Sequence, residues 1–191
     1  TGIDLKDLAA GLIDDSYFDL WDHALRLFET MDKLVVCLIH GYALGGGLQL
    51  ALAADIRVST PSARLGLPDI KEGLIPGLGT RRLARYIGLG RAKRLIITGD
   101  MIDATEGERI GLIDYLVSED GAAAEFEDIV ERVSAANSKG CRLSKNMLES
   151  CFDLDFESFF SLYKERQTEA TGSDDFREAM TAYRENRPPN W

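Results

Sequence analysis

The chain has 191 residues, of which 45% are hydrophobic and 28% charged, a composition typical of a folded globular protein. It carries 32 acidic and 22 basic residues, which gives a formal net charge of −10 at pH 7. Because nucleic-acid-binding proteins present a basic surface to phosphates, this charge argues against a nucleic-acid partner. The longest apolar run, Leu34 to Ile39, is too short to cross a bilayer, so we expect no membrane association.

The cysteines and histidines indicate the compartment and argue against a metal site. Cys37, Cys141 and Cys151 are odd in number and lack the C-x-x-C spacing, which favours a reducing, cytoplasmic setting over a disulfide scaffold. His23 and His40 fall on different predicted elements without the spacing of metal ligands. We therefore predict no metal site.

Hydrophobic periodicity predicts an α/β core in the first 120 residues. In chain order, the predicted elements are an amphipathic helix within 5–32, a buried strand at 34–39, a helix at 48–54, strands at 55–59 and 64–67, helices at 79–87 and 91–98, a helix that begins at the capping box Asp103–Glu106, and a strand at 115–117. Strands that alternate with helices through short links are typical of crossover units in an α/β fold.

From about residue 120 the pattern is helical only. The predicted helices cover 122–136, 143–151, 156–170 and 176–187. We therefore expect two domains, a core at 1–120 and a helical C-terminal lobe at 121–191.

The strongest local feature is a glycine-rich turn between a buried strand and a helix, His40 to Leu50, with glycine at 45, 46 and 47. The first N–H groups of a helix have no partner within it, and glycine lets a ligand oxygen approach them closely. The turn therefore suits an anion, or an oxygen that becomes anionic during a reaction. The alternative is a turn that serves only tight packing of the strand against the helix.

A second feature is the carboxylate of Asp69, which follows a predicted strand and Pro68. Its apolar neighbours Leu67 and Ile70 could desolvate it and raise its pKa, which suits proton transfer. The alternative is an Asp that caps a turn or the next helix.

Six basic residues and no acidic ones lie between positions 81 and 94. They could face the phosphates of a ligand. The stronger expectation is a solvated helix face or a contact between subunits.

Taken together, three segments resemble the enoyl-CoA hydratase/isomerase family of the crotonase superfamily. Thr1 to Lys6 is similar to the end of the family's Ala-Gly-x-Asp-Leu/Ile-Lys loop. Gly41 to Asp55 resembles its Gly-Tyr-Ala-x-Gly-Gly-Gly-x-Glu-Leu-Ala-x-x-x-Asp motif, and Gly66 to Leu83 resembles its Gly-x-Pro-Glu-x-x-x-Gly-x-x-Pro-Gly segment. The resemblance covers nearly the whole chain in order. Because the chain opens on Thr1 inside such a loop, we expect earlier residues to supply the opening strands.

The resemblance implies a fold and a set of partners. It implies a crotonase-like α/β spiral of ββα units, of the kind shared with ClpP, and a helical C-terminal lobe that builds homotrimers or hexamers. It also implies an acyl-CoA thioester as substrate, with coenzyme A as part of that substrate and no separate cofactor. By motif position, the N–H groups of Ile3 and Gly46 would form an oxyanion hole. Ile3, Asp4, Leu5 and Lys6, with Gly46, would bind the coenzyme A part.

Two departures from the family pattern bear on the reaction. The family's hydratases use two glutamates, whereas this chain has Gln49 at the first position and Asp69 at the second. An amide forms hydrogen bonds but does not exchange a proton as an acid–base group, so Asp69 is the predicted acid/base and Gln49 its hydrogen-bonding partner. Glu72 and the acids of 14–32, such as Asp15 and Asp22, are further carboxylates to which we assign no role.

One carboxylate beside an oxyanion hole is compatible with several reactions. The first expectation is isomerisation or hydration of an enoyl-CoA. The alternatives are acyl-CoA hydrolysis or decarboxylation, or a trimer that binds acyl-CoA without catalysis.

Overall fold

In the computed structural model, which describes residues 2–136 and 138–191, the strands form two three-stranded sheets. The strands are β1 (Val36–Ile39), β2 (Tyr42–Leu44), β3 (Ile56–Ser59), β4 (Arg64–Gly66), β5 (Ile102–Asp103) and β6 (Tyr115–Leu116). One sheet has the order β1-β3-β6 with parallel pairing throughout. The other has the order β2-β4-β5, in which β2 and β4 are parallel and β4 and β5 antiparallel.

Helices follow and connect these strands. They are α1 (Leu5–Ala9), α2 (Ser16–Thr30), α3 (Gly46–Leu52), α4 (Gly79–Ile87), α5 (Leu89–Thr98), α6 (Ala104–Arg109), α7 (Ala122–Ala135), α8 (Lys139–Ser150), α9 (Phe156–Thr171) and α10 (Asp174–Glu185), with a 3₁₀ helix at Pro68–Glu72. Among the described residues none of these helices is long and apolar enough to cross a membrane.

The chain divides into two compact units. One contains the residues up to Glu29 together with Val35–Glu127, and its buried core is formed by apolar side chains of both sheets and of α3 to α6. The other contains Thr30–Leu34 and Asp128–Trp191. Within this second unit, Lys145 Nζ donates a 2.7 Å hydrogen bond to the Lys33 carbonyl. A domain boundary at residue 120 stays a prediction.

Local sequence signals place most elements within a few residues of their observed bounds. The predicted start of a helix at Asp103 is confirmed, since Asp103 Oδ1 accepts a 2.8 Å hydrogen bond from the Glu106 N–H as the N-cap of α6. The strands β2 and β5 were not predicted: β2 lies within the segment assigned to the glycine-rich turn, and β5 is two residues that directly precede α6.

The single helix predicted within 5–32 is wrong, because α1 and α2 are separate helices. Gly11 adopts a φ of +70°, a left-handed conformation that interrupts a helix. Asp14 Oδ1 accepts a 2.9 Å hydrogen bond from the Ser16 N–H, which starts α2 afresh. Of the Thr1–Lys6 segment, Thr1 lies outside the described residues.

Candidate active site

The glycine-rich turn links the end of β2 to the start of α3. The Gly45 N–H donates a 3.0 Å hydrogen bond to the Gly66 carbonyl at the end of β4, which fixes the turn to the sheet. Gly45 has a φ of +51°, a conformation that favours glycine. Gly46 is the first residue of α3, so its N–H has no acceptor four residues earlier within the helix.

The segment before α1 packs directly on this turn. A Cβ on Gly2 would lie only 2.9 Å from the Gly46 nitrogen, and Gly2 has a φ of +137°. Glycine at position 2 therefore permits a close approach that no other residue allows. As a result, Ile3 and Gly46 border the same cavity although 43 positions separate them.

This cavity has a volume of about 210 Å³ and is mostly apolar. It is lined by Gly2, Ile3, Leu5, Leu44, Gly45, Gly46, Pro68, Asp69, Glu72 and Leu74. Of the predicted site residues, Ile3, Leu5, Gly46 and Asp69 are thus brought together. Asp4, Lys6 and Gln49 do not line it.

Asp69 presents a poorly solvated carboxylate to the turn. It lies in the first turn of the 3₁₀ helix, is half-buried, and has Oδ1 3.6 Å from the point where a Cβ on Gly45 would lie. Its Oδ2 atom is buried without a hydrogen-bond partner among the described residues. Burial raises the pKa of this carboxyl above its ordinary value, and the negative charge of Glu72 raises it further. Asp69 therefore has the environment of a proton-transfer group.

Asp4 and Lys6 lie at the exposed start of α1. Asp4 is the N-cap residue of this helix, and its Oδ1 accepts a 2.8 Å hydrogen bond from the Lys6 N–H. The Asp4 side chain therefore has a structural role in this loop.

Gln49 is buried and is not among the residues that line the cavity beside Asp69. Its Oε1 lies 3.7 Å from the point where a Cβ on Gly77 would lie. Asp22 Oδ2, from α2, lies 3.2 Å from the same point. The structure thus brings Gln49 and Asp22 to the same glycine, a proximity that no sequence pattern predicts.

Two further side chains of this region were not predicted. The Trp21 ring lies against Gly46, with Cζ2 3.6 Å from the point where a Cβ on that glycine would lie.

Arg82 is only 4% exposed. The sequence predicts instead that it lies on a solvated helix face or in a contact between subunits. Its Nε donates a 2.5 Å hydrogen bond to Glu29 Oε1, and its Nη1 lies 3.3 Å from Asp22 Oδ1. The expectation of a solvated face is wrong for Arg82, because two carboxylates of α2 compensate its buried charge.

Comparisons with known proteins point to one family. The family model described as enoyl-CoA hydratase/isomerase matches residues 1–191. The crotonyl-CoA hydratase of Syntrophomonas wolfei subsp. wolfei is 35% identical over 173 residues, which cover 90% of this chain and 66% of that protein. The short-chain-enoyl-CoA hydratase of Clostridium acetobutylicum is 33% identical over 169 residues, 88% of this chain and 65% of that protein. The chain thus spans just under two thirds of the length of these two relatives.

Solved structures show the same architecture. The crystal structure of an enoyl-CoA hydratase from Bacillus anthracis superposes with a TM-score of 0.91 at 31% identity, and covers 100% of this chain and 75% of its own. The crystal structure of an enoyl-CoA hydratase/isomerase from Cupriavidus metallidurans CH34 superposes with a TM-score of 0.87 at 28% identity. The match covers 98% of this chain and 73% of that chain. The α/β architecture predicted from the motifs is therefore confirmed.

Proposed function

Since the chain belongs to the enoyl-CoA hydratase/isomerase family and has the crotonase fold, we propose that it acts on an enoyl-CoA thioester through a stabilised enolate. The observation that carries this proposal is the carboxylate of Asp69, which borders the same cavity as Ile3 and Gly46 and whose Oδ2 has no hydrogen-bond partner in the part of the chain that the structure describes. The names of the matching proteins, crotonyl-CoA hydratase and short-chain-enoyl-CoA hydratase, favour this substrate class.

In this proposal, the N–H groups of Ile3 and Gly46 bind the thioester oxygen. The support is geometric: Gly2 packs against the Gly46 nitrogen, and Gly46 begins a helix whose dipole favours negative charge at that end. As the enolate forms, its charge would develop on this oxygen. One oxyanion donor contributes about 3–4 kcal/mol to a transition state.

Asp69 is the proposed acid/base at the carbon next to the thioester. Because burial raises its pKa, the carboxyl is suited both to accept a proton from this carbon and to return one. Such a single group suffices to move a proton between two carbons of a bound enoyl-CoA. Ile3, Asp4, Leu5 and Lys6, with Gly46, are proposed to bind the coenzyme A part of the substrate, and no separate cofactor is proposed.

Asp69→Asn tests this function in the full-length protein. Crotonyl-CoA reports hydration and but-3-enoyl-CoA reports isomerisation, both followed by the absorbance of the conjugated thioester and by chromatography. We expect kcat/KM for the turned-over substrate to fall about 10²–10⁴-fold, because the proton-transfer group is lost. Binding of butyryl-CoA, measured by calorimetry, should persist.

Other outcomes of these assays would support one of the alternative functions. Wild-type protein that binds butyryl-CoA but converts neither enoyl-CoA would favour an acyl-CoA-binding trimer without catalysis. Release of free thiol from an acyl-CoA would favour a hydrolase. Loss of carbon dioxide from a carboxyacyl-CoA would favour a decarboxylase. Full activity of Asp69→Asn would refute the role of Asp69.

A further inference from the structure

Asp22 and Gln49 both approach Gly77 in the first compact unit. Asp22 Oδ2 and Gln49 Oε1 lie 3.2 and 3.7 Å from the point where a Cβ on that glycine would lie. The two oxygens are therefore within about 7 Å of each other. A side chain at position 77 would occupy space next to both oxygens, and glycine leaves that space free.

The two oxygens of Asp22 have different surroundings. Oδ1 lies 3.3 Å from Arg82 Nη1 and 3.8 Å from the point where a Cβ on Gly77 would lie, whereas Oδ2 lies nearer to that point, at 3.2 Å. Arg82 is itself held by Glu29 through a 2.5 Å hydrogen bond, and the Arg82 and Glu29 side chains are only 4% and 7% exposed. Because this buried pair holds Arg82, the contact of Arg82 with Oδ1 holds the Asp22 carboxylate near Gly77, with Oδ2 as the nearer oxygen.

The pair lies close to the proposed oxyanion donor. Gln49 follows Gly46 by three residues, and side chains at this spacing share one face of a helix. The rise between these residues is about 4.5 Å along the axis. Trp21, the neighbour of Asp22 in α2, packs its ring against Gly46. Gln49 and Asp22 are thus both connected to Gly46, Gln49 through α3 and Asp22 through the adjacent Trp21.

We propose that Asp22 and the Gln49 amide together bind the water that adds to the β-carbon of the enoyl-CoA, with Asp22 Oδ2 as the base. This inference rests on the proposed function. A carboxylate accepts a proton and a glutamine does not, so Asp22 would supply from α2 the second carboxylate that position 49 lacks. Gln49 would hold the water by a hydrogen bond.

The addition of water begins at the β-carbon. One O–H bond of water breaks, its proton passes to Asp22, and the oxygen forms a bond to the β-carbon. The electron pair of the double bond moves towards the thioester as an enolate, and the α-carbon takes a proton from Asp69. The product gains one water, and solvent then returns the proton from Asp22 to Asp69.

The test compares two reactions in Asp22→Asn. Hydration of crotonyl-CoA needs both carboxylates, whereas consumption of but-3-enoyl-CoA by isomerisation needs only Asp69. We expect kcat/KM for hydration to fall about 100-fold or more while isomerisation changes little. In the double variant Asp22→Asn with Gln49→Glu, a carboxylate returns to the same water, and most of the lost hydration should be recovered. Asp69→Asn should lose both reactions.

Asp19→Asn is the matched control. It removes a carboxylate from an exposed position of the same helix, so hydration per folded molecule should stay at the wild-type level. Full hydration by Asp22→Asn would overturn the proposal. So would an equal loss of both reactions that Gln49→Glu does not rescue, since that indicates a structural role. A wild type that isomerises but does not hydrate would overturn the role of Asp22 and leave that of Asp69.

Discussion

Gly77 lies next to two polar side chains, Asp22 and Gln49, that come from distant parts of the chain. Its φ of +44° lies in the left-handed region, where a Cβ costs about 1–2 kcal/mol. A Cβ there would also come within 3.2 Å of Asp22 Oδ2. Glycine is thus required at this residue for two reasons, backbone conformation and space.

Gly77→Ala is expected to weaken both stability and hydration. The backbone strain of about 1 kcal/mol corresponds to a melting temperature lower by about 2–4 °C. Hydration of crotonyl-CoA should fall because the methyl group occupies space next to the oxygens of Asp22 and Gln49, whereas isomerisation should be less affected. Gly90→Ala is the control: it lies in α5, has no heavy atom within 4 Å of its Cβ position, and should stabilise the helix slightly. Wild-type melting and rates in Gly77→Ala would contradict this account.

At the scale of elements, α2 is anchored to α4 by buried charges. Arg82 of α4 binds Glu29 and Asp22, which lie two turns apart on α2. Burial alone would raise the pKa of Glu29, but the hydrogen bonds from Arg82 and Arg26 outweigh this effect and lower it. This contact positions the turns of α2 that carry Trp21 and Asp22.

Glu29→Gln should destabilise the fold in a pH-dependent manner. Because the pKa of Glu29 is lower in the folded state, its stabilising contribution is present above the ordinary value of 4.5 and is lost as pH falls through the folded value. We expect unfolding in urea at pH 7 to require about 3 kcal/mol less than in wild type. This difference should shrink below pH 4.5. The exposed Glu108 serves as control, since Glu108→Gln should change stability by less than about 0.5 kcal/mol.

At the scale of the whole molecule, α9 exposes an aromatic stripe that a single chain leaves in contact with solvent. Phe156 is 74% exposed and its ring stacks on that of Phe160 at 5.9 Å, and Phe160 stacks in turn on Tyr163 at 6.0 Å. No residue of α9 is buried. Exposed apolar patches of this kind are typical of interfaces between chains. The stripe is consistent with the homotrimer or hexamer that we predict.

The oligomer should depend on this stripe. The wild-type protein is expected to sediment as a trimer or hexamer, and the double variant Phe156→Glu with Phe160→Glu as smaller species, because two charges replace apolar contact area. Ile97→Glu, at a 70% exposed position of α5 in the other unit, is the control and should leave the assembly intact. A wild type that sediments as a monomer would contradict the prediction.

Much of the fold is predictable from local patterns. The apolar run at 34–39 and the capping box at Asp103 gave β1 and the start of α6, because periodicity and caps act within a few residues. The turn at Gly45 and Gly46 was recognised for the same reason. The strand β5 was not predicted. Its two residues adopt a strand conformation because they pair with β4, a contact that the local sequence does not indicate.

By itself, the sequence determined the family, the order of the elements and the candidate residues Ile3, Gly46 and Asp69, since these depend on local motifs. Only the tertiary structure decided that Arg82 is buried and that Asp22 and Gln49 both approach Gly77. Residues 22 and 77 are far apart in the chain, and no local propensity encodes which surface of α2 a distant loop will cover. Packing and charge compensation in the folded core determine which surface is covered, because the buried guanidinium of Arg82 requires carboxylates close to it.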